Sequence, residues 1–182
     1  MNEEFFDFNV VLETNRLILR FIKIEDKEDL FRNITHDKDV LKYFICEYNE
    51  NIEDFDFEKM ISGALAAKRY FFSIVLKESG EAIGMMLNCS LPSKISNSTE
   101  VGYAIGKKYW NQGYTTEALS KMIEFMFKKG IHRVEAKHIK ENVASGKVME
   151  KCGMSYEGCA VDDVYYQGKY HSLAVYAIIN DK

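Results

Sequence analysis

The succession of strand-like and helix-like segments in this sequence predicts an α/β protein, a central mixed sheet with helices on both faces. Three observations carry that prediction. Short apolar runs at 16–22, 71–77 and 82–89 are bounded by turn residues, as strands are. Segments with helical apolar spacing cover 25–34, 37–44, 52–68, 115–129 and 142–152. A strand at 99–106, the helix after it and a strand at 132–139 follow one another as a parallel crossover requires, whereas the hairpin signals on either side demand antiparallel pairing. The order is β, a helical insert, β-β-β, α, β, α, β-β.

Residues 1–13 read as a short, partly acidic lead-in. Arg16 to Ile22 is rich in large apolar groups and suits a strand covered on much of both faces. In the insert, Leu30, Phe31 and Ile34 share one helical side, as do Val40, Leu41 and Phe44, then Phe57, Met60, Ile61, Ala64 and Leu65. Phe71 to Lys77 and Ala82 to Cys89 form a hairpin through Glu78-Ser79-Gly80-Glu81. Leu91 to Ser98 is polar and turn-prone, an extended loop. Ala118, Leu119, Met122, Ile123 and Met126 give the next helix its inner face, and Gly130 stops it. Asn142 to Cys152 is a helix closed by Gly153. Met154 to Val161 and Tyr170 to Ile179 are the last strands, joined through Asp162-Asp163 and Gln167-Gly168.

The 182 residues suit a single domain, 1–182, and the 47% hydrophobic content is enough for a substantial core. A net charge of −4 argues against a nucleic-acid partner held by a general basic field. Cys46, Cys89, Cys152 and Cys159 have no C-x-x-C spacing and no accompanying histidine pattern, so neither a metal site nor a disulfide framework is predicted. Reduced thiols in a cytoplasmic protein are the plain expectation. Met1-Asn2-Glu3-Glu4 lacks the basic start and apolar run of a signal peptide. No apolar stretch approaches the roughly 20 residues that span a bilayer.

The stretch around which the rest is organised is Trp110-Asn111-Gln112-Gly113-Tyr114-Thr115-Thr116-Glu117-Ala118-Leu119. A glycine turn delivered by a strand and opening a helix exposes unpaired backbone N–H groups at the positive end of the helix dipole. That is an anion site, suited to the pyrophosphate of a coenzyme. Glu117, in the first helical turn, is expected to stabilise the dipole rather than take part in chemistry.

Three ordered motifs then resemble one family. They are Glu100-Val101-Gly102-Tyr103-Ala104-Ile105, Tyr109 to Ala118, and Asn142-x-x-Ser145-x-x-Val148-Met149-Glu150-Lys151-Cys152-Gly153-Met154. Together with Thr14 to Arg20 and Tyr156-Glu157-Gly158, they are similar to the GNAT acetyltransferases, most of all the RimJ/RimL branch of ribosomal-protein N-terminal acetyltransferases. The resemblance covers nearly the whole chain. It implies a GNAT-like acyl-CoA N-acyltransferase fold with acetyl-CoA as cosubstrate, bound in a V-shaped opening between two neighbouring strands. It places the pyrophosphate on the backbone amides of Gln112, Gly113, Thr115 and Thr116. Tyr103, Ala104 and Ile105 would pair with the pantetheine arm as if it were a strand, and Asn142 would hydrogen-bond that arm while also capping its helix.

The implied reaction is direct attack of a primary amine on the thioester carbonyl, which needs a base for the amine and a polar setting for the departing thiolate. Glu100, at the start of the strand that lines the family's active centre, is the candidate base, acting directly or through water; a surface carboxylate or ion-pair partner is its plain alternative. Many GNAT enzymes carry a tyrosine seven residues after the asparagine, where this chain has Met149. Ser145 shares a helical face with Asn142 and is the candidate for stabilising the thiolate, against a simple cap or packing role. His171 and Asp163 are secondary candidates near the acceptor, and Ser172 stands where the branch often has aspartate. His132 and His138 share a strand face without ligand partners, and no cysteine has a visible activating neighbour.

The acceptor is expected to be a protein N-terminus or a small-molecule amine. Between Glu47 and Glu58 lie six acids (Glu47, Glu50, Glu53, Asp54, Asp56 and Glu58) and no Lys or Arg. In this family the insert shapes the acceptor side, so these acids form either a lip that attracts a cationic amine or simply a solvated helix face. A non-catalytic acyl-CoA-binding module on the same fold is the alternative function; Glu100 and Ser145 together favour the enzyme. No feature fixes the oligomeric state, and a homodimer stays open.

Overall fold

In the computed structural model, which describes residues 6–92 and 95–181, eight strands make one sheet among those residues. They are β1 (Val11–Glu13), β2 (Leu17–Phe21), β3 (Phe71–Leu76), β4 (Ala82–Asn88), β5 (Ser98–Ile105), β6 (Arg133–Ile139), β7 (Ser155–Tyr166) and β8 (Lys169–Ile179). Their spatial order is β1-β2-β3-β4-β5-β6-β8-β7, and every neighbouring pair is antiparallel except β5 and β6. The helices are α1 (Lys27–Leu30), α2 (Lys38–Leu41), α3 (Phe57–Ala66), α4 (Tyr114–Lys128) and α5 (Val143–Lys151). Met1–Glu4, and residues 93 and 94 of the expected loop, lie outside the described residues.

Strand alternation sorts the apolar residues into two cores. Leu17, Leu19, Phe72, Ile74, Ile83 and Val101 pack with Leu119, Met122 and Met126 of α4 and Met149 of α5. The opposite residues, among them Phe71, Val75, Met85 and Ala104, pack with Leu30, Ile34, Val40, Phe57 and Ala64 of the insert. β3 is therefore buried at all six positions. Helices cover both faces, as expected. No helix among the described residues is long and apolar enough to cross a membrane.

Several elements differ from the sequence reading. The expected helix over 52–68 is a 3-10 turn, Ile52–Asp54, followed by α3 with Asp56 as its cap, and Leu65 is exposed rather than inward. The expected helix over 37–44 is only the four-residue α2. The lead-in contributes β1, a three-residue strand too short to show a period. The expected helix over 25–34 breaks after α1 into a π-helix, Phe31–Thr35, marked by the bond from His36 N–H to the Phe31 carbonyl at 2.9 Å. This register turns Asn33 inward, where its amide donates to the Ala82 carbonyl at 3.1 Å. Finally, Asp162-Asp163 is no turn: β7 runs through it, bulged between Ala160 and Val164, with Asp162 at φ 50°. The hairpin turns only at Gln167-Gly168, whose φ values of 49° and 82° suit a two-residue primed turn.

Candidate active site

The sheet opens where β5 and β6 part. Their parallel pairing covers Ser98–Glu100 against Arg133–Glu135 and then stops. Beyond it, β5 stays with β4 up to Ile105 while β6 stays with β8 up to Ile139, so a V opens between them. Glu100 N–H and C=O both point toward the β4 side, to Ser90 Oγ at 2.9 Å and from Cys89 N–H at 2.7 Å. Strand alternation then turns the peptide groups of Val101, Tyr103 and Ile105 into the V. The Ile105 carbonyl is taken by the Trp110 indole N–H at 2.9 Å. Ala104 faces the other way; a Cβ added to Gly84 of β4 would stand only 2.4 Å from its carbonyl oxygen, so glycine is required there.

At the wide end of the V lies the glycine turn. Gly113 caps α4 with φ 82° and no side-chain cap, and the first bond of the helix runs from Glu117 N–H to the Gly113 carbonyl at 3.0 Å. The N–H groups of Tyr114, Thr115 and Thr116 thus have no intrahelical acceptor, at the positive end of a fifteen-residue helix. Glu117 is structural. Its carboxylate accepts from Thr14 Oγ1 at 2.5 Å, Arg16 N–H at 2.9 Å and Arg16 Nε at 2.7 Å. Burial opposes its ionisation, but these bonds outweigh it and hold its pKa below the usual carboxylate range. Arg16 also donates to the Gln112 carbonyl at 3.0 Å and lies 4.2 Å over the Tyr114 ring, clamping the turn from both ends.

Across the V stands the N-terminus of α5. Asn142 Oδ1 accepts from Ser145 N–H at 3.4 Å, so it caps the helix. The Ser145 hydroxyl meets the Tyr103 hydroxyl of β5 at 2.8 Å, a bridge between two elements 42 residues apart. Burial pushes the Tyr103 phenol well above its ordinary range, so it stays protonated. Met149 is buried in the core.

Glu100 sits at the apex, on the last β5–β6 pair, and carries an ion pair with Lys137 of β6 (2.9 Å). That hydrogen bond, first among several acidic influences, keeps Lys137 above its ordinary pKa. Cys89 lies beside it, its thiol pushed up to about 11 by burial and by the Glu100 charge, and is no nucleophile at neutral pH. His138 is buried, its Nδ1 2.8 Å from the Ile139 carbonyl, and His132 lies just before β6.

Comparison with known proteins agrees with this geometry. Residues 16–155 match the acetyltransferase (GNAT) domain family. The chain belongs to the GNAT acetyltransferase family. It is 30% identical over 175 residues to YoaA of Bacillus subtilis (strain 168), described as an uncharacterized N-acetyltransferase, covering 94% of this chain and 98% of that one. It is 26% identical over 110 residues to the ribosomal protein uS5-alanine N-acetyltransferase of Escherichia coli (strain K12), covering 60% and 57%. Among solved structures, a GNAT-family acetyltransferase from Bacillus anthracis superposes with a TM-score of 0.81 at 28% identity, covering 95% of this chain and all of that one.

In this GNAT N-acetyltransferase the insert and the β7–β8 hairpin meet. The Tyr166 hydroxyl lies 3.0 Å from the Leu41 carbonyl, 3.2 Å from that of Phe44 and 3.0 Å from that of Cys46. His171 stands behind it, Nε2 3.1 Å from the Tyr166 carbonyl, and is buried, while Asp163 is exposed on β7. All six acids between Glu47 and Glu58 are exposed. Asp56 caps α3, accepting from Lys59 N–H at 3.1 Å, and Asp54 accepts from the Asn51 amide at 3.1 Å.

Sequence reasoning missed a second hub. Glu81, read as a hairpin-turn residue, accepts from Asn33 Nδ2 at 3.0 Å, Arg32 at 3.2 Å, Lys108 Nζ at 2.8 Å and the Tyr109 hydroxyl at 2.6 Å. It ties the insert and the β3–β4 hairpin to the segment that enters the glycine turn. Burial works against its charge, yet these four donors hold its pKa to about 2. No local pattern marks it, because its partners lie at residues 32, 33, 108 and 109, far from position 81 in sequence.

Proposed function

We propose that this enzyme transfers the acetyl group of acetyl-CoA to a primary amine, a protein N-terminus or a small molecule, by direct attack in a ternary complex. GNAT acetyltransferases use acetyl-CoA, and the residues here fit that cosubstrate. The pyrophosphate is assigned to the amides of Gln112, Gly113, Thr115 and Thr116, and the pantetheine to the free β5 edge at Tyr103 and Ile105, beside Ala104, with Asn142 opposite. Tyr103 offers peptide groups that face the V; for Ile105 only the N–H remains, since Trp110 holds its carbonyl.

Glu100 takes the proton that the amine must lose, directly or through water, as the nitrogen bonds to the acetyl carbon and the C–S bond breaks. Lys137 must then yield or share that carboxylate with the acceptor. The thiolate departs toward the Ser145 hydroxyl. The acceptor approaches between the insert and the β7–β8 hairpin, past the acids of residues 47–58. The single observation that carries the reading is the parting of β5 from β6, with a carboxylate at its apex and a bare helix N-terminus at its mouth. Release of free thiol from acetyl-CoA, measured against a panel of N-terminal peptides, polyamines and aminoglycosides, tests it. Turnover with at least one amine class is expected; coenzyme binding without thiol release across the whole panel would leave an acyl-CoA-binding module instead.

A further inference from the structure

Ser145 alone is an ambiguous donor, because a serine hydroxyl rotates and can spend its hydrogen on any nearby acceptor. Here its surroundings narrow that freedom. The backbone N–H of Ser145 is fixed by the cap, to the Asn142 carbonyl at 3.0 Å and to Asn142 Oδ1 at 3.4 Å. Its oxygen is met at 2.8 Å by the Tyr103 hydroxyl, which also lies 3.4 Å from the Ser145 carbonyl. Both acceptors of the phenol hydrogen therefore belong to residue 145. Either hydroxyl can donate across this contact; a phenol is the stronger hydrogen-bond donor of the two, which favours the arrangement in which Tyr103 donates to Ser145 Oγ. The Ser145 hydrogen is then directed away from Tyr103.

We infer that Tyr103 is a positioning residue for catalysis: its hydroxyl donates to Ser145 Oγ and thereby aims the Ser145 O–H at the departing sulfur of the coenzyme. The inference rests on the assignment of Ser145 to the thiolate and deepens it. No proton leaves Tyr103 in the step. The amine proton goes to Glu100, the C–N bond forms, the C–S bond breaks with its electron pair on sulfur, and Ser145 donates a hydrogen bond to that sulfur. A donor chain of two hydroxyls is stronger than either alone, because the first bond polarises the second. The sequence marked Tyr103 only for its backbone; the side chain crosses from β5 to α5 on the face that packs against α4.

A double-mutant cycle tests this, with kcat, acetyl-CoA KM and coenzyme Kd measured for Tyr103→Phe, Ser145→Ala and the double variant. Tyr103→Phe keeps the ring and its packing. It is expected to lower kcat about two- to tenfold, the size of one neutral hydrogen bond, with Kd for coenzyme A unchanged. Ser145→Ala is expected to lower kcat at least as much, and adding Tyr103→Phe to it to cost nothing more. Equal losses from Tyr103→Phe with and without Ser145 would overturn the inference and leave the Ser145 assignment standing, as would a Tyr103→Phe enzyme with full kcat. A Ser145→Ala enzyme with full kcat would overturn both.

Discussion

Glu81→Gln removes one charge from a residue that touches no proposed substrate, and the structure sets the size of its effect. Glutamine keeps the shape but presents an NH₂ group to partners that are themselves donors. The Arg32 and Lys108 side chains are 56% and 54% exposed, so each ion pair is worth only about 0–1 kcal/mol. Asn33 is buried and Tyr109 half-buried, and hydrogen bonds to a charged acceptor there contribute about 1.5–3 kcal/mol each. Because glutamine can still accept on one side, the net cost is about 2–3 kcal/mol. For a protein of this size that is a fall in Tm of roughly 5–10 °C. The pH dependence is the sharper test. A carboxylate whose folded pKa is depressed to about 2 contributes stability that is complete above its unfolded value and is lost as pH falls toward the folded one. Urea unfolding of both proteins at pH 7, 5 and 3.5 should therefore show the gap between them narrowing below about pH 4.5. A gap that stays constant or widens in acid would refute the reasoning, and so would a Tm loss below about 2 °C at pH 7.

Other outcomes follow from the same geometry. Gly113→Ala forces a Cβ into a left-handed turn at φ 82°, costing about 1–2 kcal/mol of stability, and a calorimetric titration should show weaker coenzyme A binding. Glu100→Gln should lower kcat at least tenfold with coenzyme Kd intact, since general-base contributions are about 10²–10⁴-fold; a smaller loss removes Glu100 as the base. If the exposed acids of residues 47–58 draw a cationic acceptor inward, acceptor KM rises between 20 and about 300 mM salt while acetyl-CoA KM changes less. An acceptor KM indifferent to salt removes that role from the acids.

Local patterns made most of the fold legible. The apolar period of α4 and the glycine before it appear in the sequence as they do in the structure, because both follow from neighbours a few residues apart. The order of elements around the parallel β5–β6 pair was equally readable. What escaped was set by contacts distant in sequence. The π-helix at Phe31–Thr35 accompanies the bonds of Asn33 to Ala82 and Glu81, partners nearly fifty residues away that no helical period records. Continuation of β7 through Asp162-Asp163 depends on a bulge that only the partner strand β8 reveals. Within the site, the type of residue at 100, 113, 142 and 145 was readable, but the pairing of Glu100 with Lys137 and of Ser145 with Tyr103 was not. Both pairs join residues more than thirty positions apart.

The most direct measurement is a crystal structure of the enzyme with acetyl-CoA bound. The pyrophosphate oxygens should lie on the amides of the Gly113 turn, the pantetheine along the free edge of β5, and the thioester between Glu100 and Ser145. A coenzyme seated elsewhere, or one whose thioester lies out of reach of both side chains, would contradict this placement.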